Sequence, residues 1–212
     1  MNQIILGTIQ AGKLNLNGDQ GNLLALKRFL EASGQSVRVV PVGTSEEALA
    51  CHFLLLGHGS MAAMDSISVL LGSLDWSAIL ETVPGLSVGS GTEWLAQNAP
   101  GATGFQRVER TSEFRVANLG PISVLGYRNS DSTLPDLTMS GSFITTMLHG
   151  PVLAKNPVLL ARAAAAAAKR AGVALNFKSP QLVDWVGNLN RISRQIWQIE
   201  APDQKYPELL LP

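Results

Sequence analysis

The 212-residue chain carries 16 basic and 16 acidic residues, and 46% of its residues are hydrophobic. This balance of charge excludes a protein that a net basic field holds to nucleic acid or to an anionic membrane. The only cysteine, Cys51, excludes an internal disulfide framework and a cysteine-rich zinc site, and it fits a reducing compartment. We expect a single cytoplasmic domain over residues 1–212, without a secretory signal or a membrane-spanning segment.

The first half of the chain alternates strand-like and helix-like segments, a pattern typical of α/β domains. The strand-like segments are residues 4–9, 37–42, 51–57 and 85–89. The second of them is apolar and β-branched, which predicts a buried parallel strand. The helix-like segments are residues 23–30, 45–50, 64–80 and 92–97.

In the second half, residues 113–118 and 122–126 alternate as antiparallel strands do, around a turn at Gly120. The remaining predicted elements are a strand at 142–148 and helices at 157–171 and 180–199. This order predicts a three-layer α/β sandwich with a mostly parallel, flavodoxin-like sheet and a small antiparallel insertion. Reactive groups in such sheets lie beyond the carboxyl ends of the strands. The strand ends in question are residues 57–60, 89–92 and 149.

Four stretches near these strand ends resemble the class I glutamine amidotransferases of the CobB/CobQ type. The resemblance is closest to the GatD-type amidotransferase subunit of lipid II isoglutaminyl synthase. The first stretch is a Gly-Asp-x-Gly-Asn loop that leads into a helix, and the last contains Thr-x-x-His-Gly-Pro. Between them lie counterparts of an oxyanion loop and of the turn that carries the nucleophile. The four stretches are residues 14–34, 53–61, 86–96 and 143–157.

The resemblance implies a chemistry from which this chain departs. In the family, a cysteine thiolate attacks the side-chain amide of glutamine, a histidine carries the proton, and ammonia passes to a partner subunit. His149 matches that histidine, but Gly89 stands at the cysteine position, and glycine has no side chain to form a thioester. Ser90 follows over a family glycine, Glu93 stands at the usual glutamine, and Ser130 replaces a histidine of a neighbouring segment.

The resemblance also assigns two groups of residues outside the nucleophile position. A substrate and oxyanion pocket is expected at Gly57, His58, Gly59, Gly91, Thr92 and Glu93. A loop or subunit interface is expected at Gly18, Asp19, Gly21, Asn22, Arg128 and Asn129. The spacing of Asp19 and Asn22 also fits a local helix cap, which is the competing interpretation of that loop. No cofactor and no metal site are expected.

Hydroxyl groups offer alternative nucleophiles beside His149. The candidates are Ser87, Ser90 and Thr92, with Asp131 or Asp136 as the acid. Residues 85–89 spell Gly-x-Ser-x-Gly, the pattern of a nucleophile elbow. Ser87 nevertheless lies two residues before the predicted turn, so burial within the strand is the competing interpretation. For the other two hydroxyls the alternative is a cap on the following helix.

These observations lead to a functional hypothesis with two alternatives. The hypothesis is a degenerate amidotransferase-like subunit without glutaminase activity, which forms a heterodimer with a Mur-ligase-like, ATP-dependent amide ligase. A charged fraction of 15% is low for a soluble domain and fits a surface covered by a partner. The alternatives are an amidase or esterase that uses a serine with His149, and a stand-alone protein that binds a glutamine-like small ligand. Cys51 is expected in the core.

Overall fold

The computed structural model describes residues 3–212, which contain nine strands and eight helices. The strands are β1 (Ile4–Ile9), β2 (Val37–Val42), β3 (Phe53–Leu56), β4 (Gly85–Val88), β5 (Arg107–Leu119), β6 (Ile122–Ser132), β7 (Leu137–Ser140), β8 (Phe143–Thr146) and β9 (Leu148–His149). The helices are α1 (Gln20–Ala32), α2 (Ser45–Leu49), α3 (Met61–Ser73), α4 (Trp76–Thr82), α5 (Ser90–Asn98), α6 (Val152–Lys155), α7 (Pro157–Ala171) and α8 (Pro180–Glu200).

The strands form two sheets. The main sheet has six strands in the order β2-β1-β3-β4-β8-β7, all parallel except β7, which runs antiparallel to β8. The second sheet has the order β5-β6-β9 and is antiparallel. The predicted fold class, an α/β domain with a mostly parallel sheet and a small antiparallel addition, is therefore confirmed.

Apolar side chains cover both faces of the main sheet, so the helices form two outer layers. Phe53 and Leu55 of β3 belong to the core that packs against α1, α7 and α8. Leu54 and Leu56 of the same strand belong to the core that packs against α2, α3, α4 and α5. Because side chains alternate across a strand, this one strand contributes to both cores. Its carboxyl end, and that of β4, open onto the candidate site.

The prediction of a buried strand at 37–42 is wrong in its placement. This segment forms β2, a parallel strand at the edge of the main sheet, and most of its side chains are exposed or half-buried. Val39 is 38% exposed. Pro41 lacks an N–H group and suits an edge strand. Composition predicted the strand correctly, whereas its position depends on which strands pair with it.

Two predicted elements are each divided in the structure. The helix predicted at 64–80 breaks between α3 and α4, where the Asp75 carboxylate accepts the Ala78 N–H at 3.1 Å and caps the second helix. The strand predicted at 142–148 passes from β8 to β9 in the other sheet. There the Thr146 hydroxyl accepts the Leu148 N–H at 3.0 Å. Polar side chains that bond the local backbone interrupt both apolar patterns. Two short elements, β7 and α6, were not predicted.

Within residues 3–212, no single helix has the length and apolar composition to span a membrane. The helices α3 and α4 meet these criteria only as a pair, which is bent by 85°.

Two glycines should respond in opposite directions to substitution by alanine. A Cβ on Gly85 would lie 2.4 Å from the Phe143 ring, whereas Gly187 in α8 has open space around it. We expect Gly85→Ala to lower the free energy of unfolding by about 1–3 kcal/mol through overpacking. Gly187→Ala should raise it by about 1 kcal/mol because alanine favours the helix. Urea denaturation of the two variants measures both effects, and a neutral Gly85→Ala would contradict the tight packing of β4 against β8.

Candidate functional site

The candidate site lies where the carboxyl ends of β3 and β4 meet the short strand β9. The main-chain turn after β4 is centred on Gly89, whose φ is +53° and ψ −117°. Its N–H donates to the Thr146 carbonyl at 2.8 Å, and α5 begins at the next residue. This strained strand-to-helix turn has the form of a nucleophile elbow, and glycine adopts its positive φ at little cost. The elbow is present, but no side chain projects from it.

The space beside the elbow is filled by two imidazole rings. A Cβ added to Gly89 would lie 2.6 Å from His58 Nδ1 and 2.8 Å from His149 Cε1. The two rings meet edge to face, with centroids 4.5 Å apart and an interplanar angle of 75°. No cysteine side chain fits at position 89 unless both of these rings move.

His58 also takes the main-chain donor at the start of α5. Its Nδ1 accepts the Ser90 N–H at 3.0 Å. Two main-chain hydrogen bonds of His58 fix the loop that carries it. The His58 N–H donates to Asp19 Oδ2 at 3.2 Å, and the His58 carbonyl accepts the Leu16 N–H at 3.0 Å. Burial lowers the pKa of His58, and the positive charge of Arg110 lowers it further. The neutral ring is therefore the hydrogen-bond acceptor at the N-terminus of α5.

His149, the predicted catalytic histidine, has no nucleophile beside it among the described residues. It is 5% exposed, and the Asn17 side-chain amide donates to its Nδ1 at 2.9 Å. The proton of the neutral ring is then on Nε2, which has no hydrogen-bond partner within residues 3–212. Burial, followed by the nearby His58, lowers the pKa of His149 to about 4, although the Asn129 carbonyl opposes this shift. His149 is consequently uncharged at neutral pH.

The candidate hydroxyls all bond to groups other than His149. Ser87 is fully buried, and its Oγ lies 2.8 Å from Thr92 Oγ1. Thr92 also donates to the Thr146 carbonyl at 3.1 Å. Ser90 Oγ accepts the Gly59 N–H at 2.9 Å and donates to the Gly59 carbonyl at 3.0 Å. The predicted capping role of Ser90 or Thr92 is wrong, because Gly89 is the N-cap and no side chain caps α5.

Asp19 and Asn22 connect separate loops and do not form the predicted local cap, since no side-chain bond caps α1. The Asn22 amide donates to the carbonyls of Asp19 and Gly150, and its oxygen accepts the Leu153 N–H at 2.8 Å. Burial raises the pKa of Asp19 to about 6, against the effect of main-chain N–H groups that include those of His58 and Gly150. The loop at residues 15–22 is thus tied to both histidine-bearing loops.

The glycines of these motifs permit close contact between the loops. A Cβ on Gly57 would lie 2.2 Å from the Leu14 carbonyl oxygen, and one on Gly91 would lie 2.7 Å from the Gly57 carbonyl oxygen. A Cβ on Gly59 would lie 2.7 Å from the Leu14 side chain. Among the loop glycines, a Cβ on Gly21 would lie 2.8 Å from Pro151, whereas Gly18 has open space and a φ of +76°.

Charged residues of the antiparallel sheet form the rim of the site. Glu93, predicted in the substrate pocket, forms a bidentate ion pair with Arg107, whose two Nη atoms donate to the carboxylate oxygens at 2.9 and 3.1 Å. Asp131 contacts the same arginine, so it is not oriented towards a serine. Arg110 is 60% exposed and only weakly held, with Asn129 Oδ1 at 3.3 Å and Asp131 Oδ2 at 4.0 Å.

Arg128, expected at a loop or subunit interface, is buried and donates hydrogen bonds within the chain. It is 5% exposed and donates to the Leu134 carbonyl, to Asp136 and to the Ser132 carbonyl. These bonds hold the connection from β6 to β7 in place. Asp136, the second candidate acid of a serine triad, is therefore committed to an arginine.

Cys51 lies at the start of β3, at the opposite end of that strand from the site. It is fully buried, as predicted, and burial raises the pKa of its thiol to about 11. The neighbouring His52 accepts the Ile5 N–H on its Nδ1 at 2.8 Å. In the described part of the chain, no group of three or more metal-ligating side chains comes together.

Two residues of the site were not singled out from the sequence, and a third, His58, makes a contact that the sequence did not predict. Asn17, which contacts His149, and Arg110, which lowers the pKa of both site histidines, were not singled out. His58 was expected in an oxyanion pocket, yet its ring occupies the donor that such a pocket would offer. The sequence signal available for His58 was the pair of glycines on either side, which allows a side chain to turn inwards.

No family profile and no curated sequence matches this chain. Solved structures with a similar arrangement include a glutamine amidotransferase from Thermotoga maritima, with a TM-score of 0.46 and 13% identity, covering 93% of this chain and 98% of the other. A protein described as a GMP synthase subunit, from Thermoplasma acidophilum, has a TM-score of 0.44 and 16% identity, covering 69% and 83%. A ThiJ/PfpI domain protein from Brachyspira murdochii has a TM-score of 0.38 and 12% identity, covering 82% and 96%.

The two buried titratable groups should give the stability opposite dependences on pH. The pKa of His149 falls from 6.5 to about 4, so its neutral form stabilises the fold above pH 6.5, and that contribution is lost as the pH falls towards 4. The full shift corresponds to about 3 kcal/mol. The pKa of Asp19 rises from 3.8 to about 6, so its contribution is present below pH 3.8 and is lost as the pH rises towards 6.

Urea denaturation of the wild type, His149→Gln and Asp19→Asn over this pH range separates the two effects. The stability advantage of the wild type over His149→Gln should shrink as the pH falls from 6.5 to 4. Its advantage over Asp19→Asn should instead grow as the pH falls from 6 to 3.8. Parallel profiles for all three proteins would contradict the burial of these groups.

Proposed function

We propose that this chain is a non-hydrolysing relative of the class I glutamine amidotransferases, of the CobB/CobQ and GatD type. In this proposal it serves as the binding partner of a Mur-ligase-like, ATP-dependent amide ligase. One observation carries the first half of the proposal: the elbow at Gly89 keeps its strained backbone, while the His58 ring occupies the volume of the missing side chain.

Hydrolysis of a carboxamide by this fold requires three groups that this site does not offer together. A nucleophile must lie within hydrogen-bond reach of a base, and main-chain donors must face the developing oxyanion. Gly89 supplies no nucleophile, and the candidate hydroxyls bond elsewhere. The Ser90 N–H, the donor that follows the elbow, already bonds His58. Loss of an acyl nucleophile costs several powers of ten in rate.

The partner half of the proposal is supported by what remains around the missing nucleophile. The loop with Asp19 and Asn22 is hydrogen-bonded to both histidine-bearing loops. This part of the rim of the site therefore has a defined shape, although the proposal assigns no reaction to the site. Two apolar side chains project from that rim, Leu16 at 62% and Met61 at 83% exposure. In this proposal, these two side chains form part of the surface that contacts the ligase. With no glutaminase, the ligase would take free ammonia or another amine.

Assays of isolated chains test the loss of hydrolysis. We expect no release of ammonia from glutamine and no cleavage of an activated ester above the buffer rate, because no hydroxyl or thiol of residues 3–212 is hydrogen-bonded to His149. His149→Ala should leave this baseline unchanged. Glutamine or ester hydrolysis by the wild type that disappears in His149→Ala, Ser87→Ala or Ser90→Ala would instead establish the serine hydrolase alternative.

Affinity purification from the native host tests the partner. We expect a Mur-ligase-like protein, identified by mass spectrometry, to co-purify with the wild type at a fixed ratio. Leu16→Glu with Met61→Glu should abolish this association, since it places charge on the apolar rim. Val183→Glu is the matched control, because Val183 is 50% exposed on α8, which packs on the other face of the sheet. A solitary monomer, or equal loss with the control, would contradict the proposal.

A further inference from the structure

The His58 ring stands in the place that a small acceptor group would take at this site. Its Nδ1 is the acceptor for the Ser90 N–H, at the N-terminus of the nine-residue helix α5. The N-terminus of a helix favours a negatively charged acceptor, because unpaired N–H groups and the helix dipole point towards it. A neutral imidazole nitrogen satisfies the donor but leaves this preference for negative charge unused.

A second donor beside the ring has no acceptor in hydrogen-bond geometry among residues 3–212. His149 is 95% buried, being 5% exposed, and its Nε2 finds no partner among residues 3–212. The Asn17 amide donates to Nδ1, so the ring proton is on Nε2. The Asn129 carbonyl lies near enough to influence the ring but outside hydrogen-bond geometry for Nε2. A buried donor left without an acceptor is unfavourable, so it marks a position that a ligand would complete.

The charges around the two rings are mainly positive. Arg110 and Arg128 both act on His149, and Arg110 also acts on His58. The carboxylates of Glu93 and Asp131 are held by Arg107, and Asp19 faces main-chain N–H groups of the loops. Among these three arginines, Arg110 has the most distant carboxylate partner, Asp131 Oδ2 at 4.0 Å. An anion at the position of the His58 ring would therefore meet the positive charge of Arg110, and the Asp19 carboxylate, which accepts the His58 N–H at 3.2 Å, would oppose it.

Of the two histidine side chains at the site, that of His58 is the less constrained. His149 is 5% exposed and is fixed by Asn17, whereas His58 is half-buried and lies between two glycines. Rotation of its side chain away from α5 would free the Ser90 N–H and expose the Nε2–H of His149.

We infer that His58 is the closed gate of a carboxylate-binding site, formed by the Ser90 N–H, the His149 Nε2–H and the side chain of Arg110. A planar carboxylate of a small molecule replaces the planar imidazole and accepts hydrogen bonds from both donors. The site binds reversibly, since Gly89 provides no group for covalent attachment. This inference rests on the non-hydrolysing site proposed above but not on the ligase partner, and it is tested on the isolated chain.

Titration of the full chain with sodium acetate, followed by amide and imidazole NMR, tests the gate. Sodium chloride at the same ionic strength is the control for salt, and inorganic phosphate is the second oxyanion. In the wild type we expect saturable shifts of the Ser90 amide and the His58 ring. His58→Ala should bind acetate about tenfold more tightly, because the closed state no longer competes with the ligand. His58→Ala with His149→Leu should lose that gain.

His52→Ala is the matched histidine control, since His52 lies at the other end of β3, and it should bind acetate as the wild type does. Absence of a saturable Ser90 shift in the wild type would overturn the inference, whether or not His58→Ala folds. So would equal affinities of the wild type and His58→Ala, or tightening by His52→Ala. Tighter binding of phosphate than of acetate would overturn the assignment to a carboxylate. Hydrolysis of glutamine or ester remains a separate measurement, so failure here is distinguishable from failure of the proposed function.

Discussion

The contact between His58 Nδ1 and the Ser90 N–H determines how the strand ends of this protein are used. The elbow at Gly89 places a main-chain donor at the start of α5, and such a donor needs an acceptor from the protein, from water or from a ligand. Here an imidazole from the neighbouring strand end supplies the partner. The same ring lies in the volume that a side chain on Gly89 would need. The position of His58 therefore both provides an acceptor for the Ser90 N–H and fills the space beside the elbow.

The position of His58 depends in turn on close packing between loops. Gly57, Gly59 and Gly91 have neighbours at distances that exclude a Cβ. Asp19 then receives the His58 N–H, and Asn22 joins the same loop to the turn after β9. These glycines are therefore required by the packing whether or not the site is catalytic.

The periodicity of the sequence was sufficient to predict most helices and strands. It did not predict the features that depend on a particular hydrogen bond or on the pairing of strands. The long helices α7 and α8 matched, because a proline at the start and an amphipathic pattern are local signals. The strand at 37–42 was expected in the interior because apolar composition does not report how many neighbours a strand has. The predicted helix at 64–80 was divided by Asp75, a single carboxylate that bonds the backbone of the second helix.

At the site, the sequence by itself determined that position 89 has no side chain, that a histidine follows at 149, and that a Gly-x-Ser-x-Gly pattern ends the strand. These are statements about residue type and spacing, which need no knowledge of distant contacts. Only the tertiary structure decided that Ser87 bonds Thr92, that Asn17 selects the proton position on His149, and that His58 turns inwards. Each of those outcomes depends on the space and hydrogen-bond partners around a side chain. For His58 and His149 the partners come from segments far apart in the chain, which local patterns do not encode.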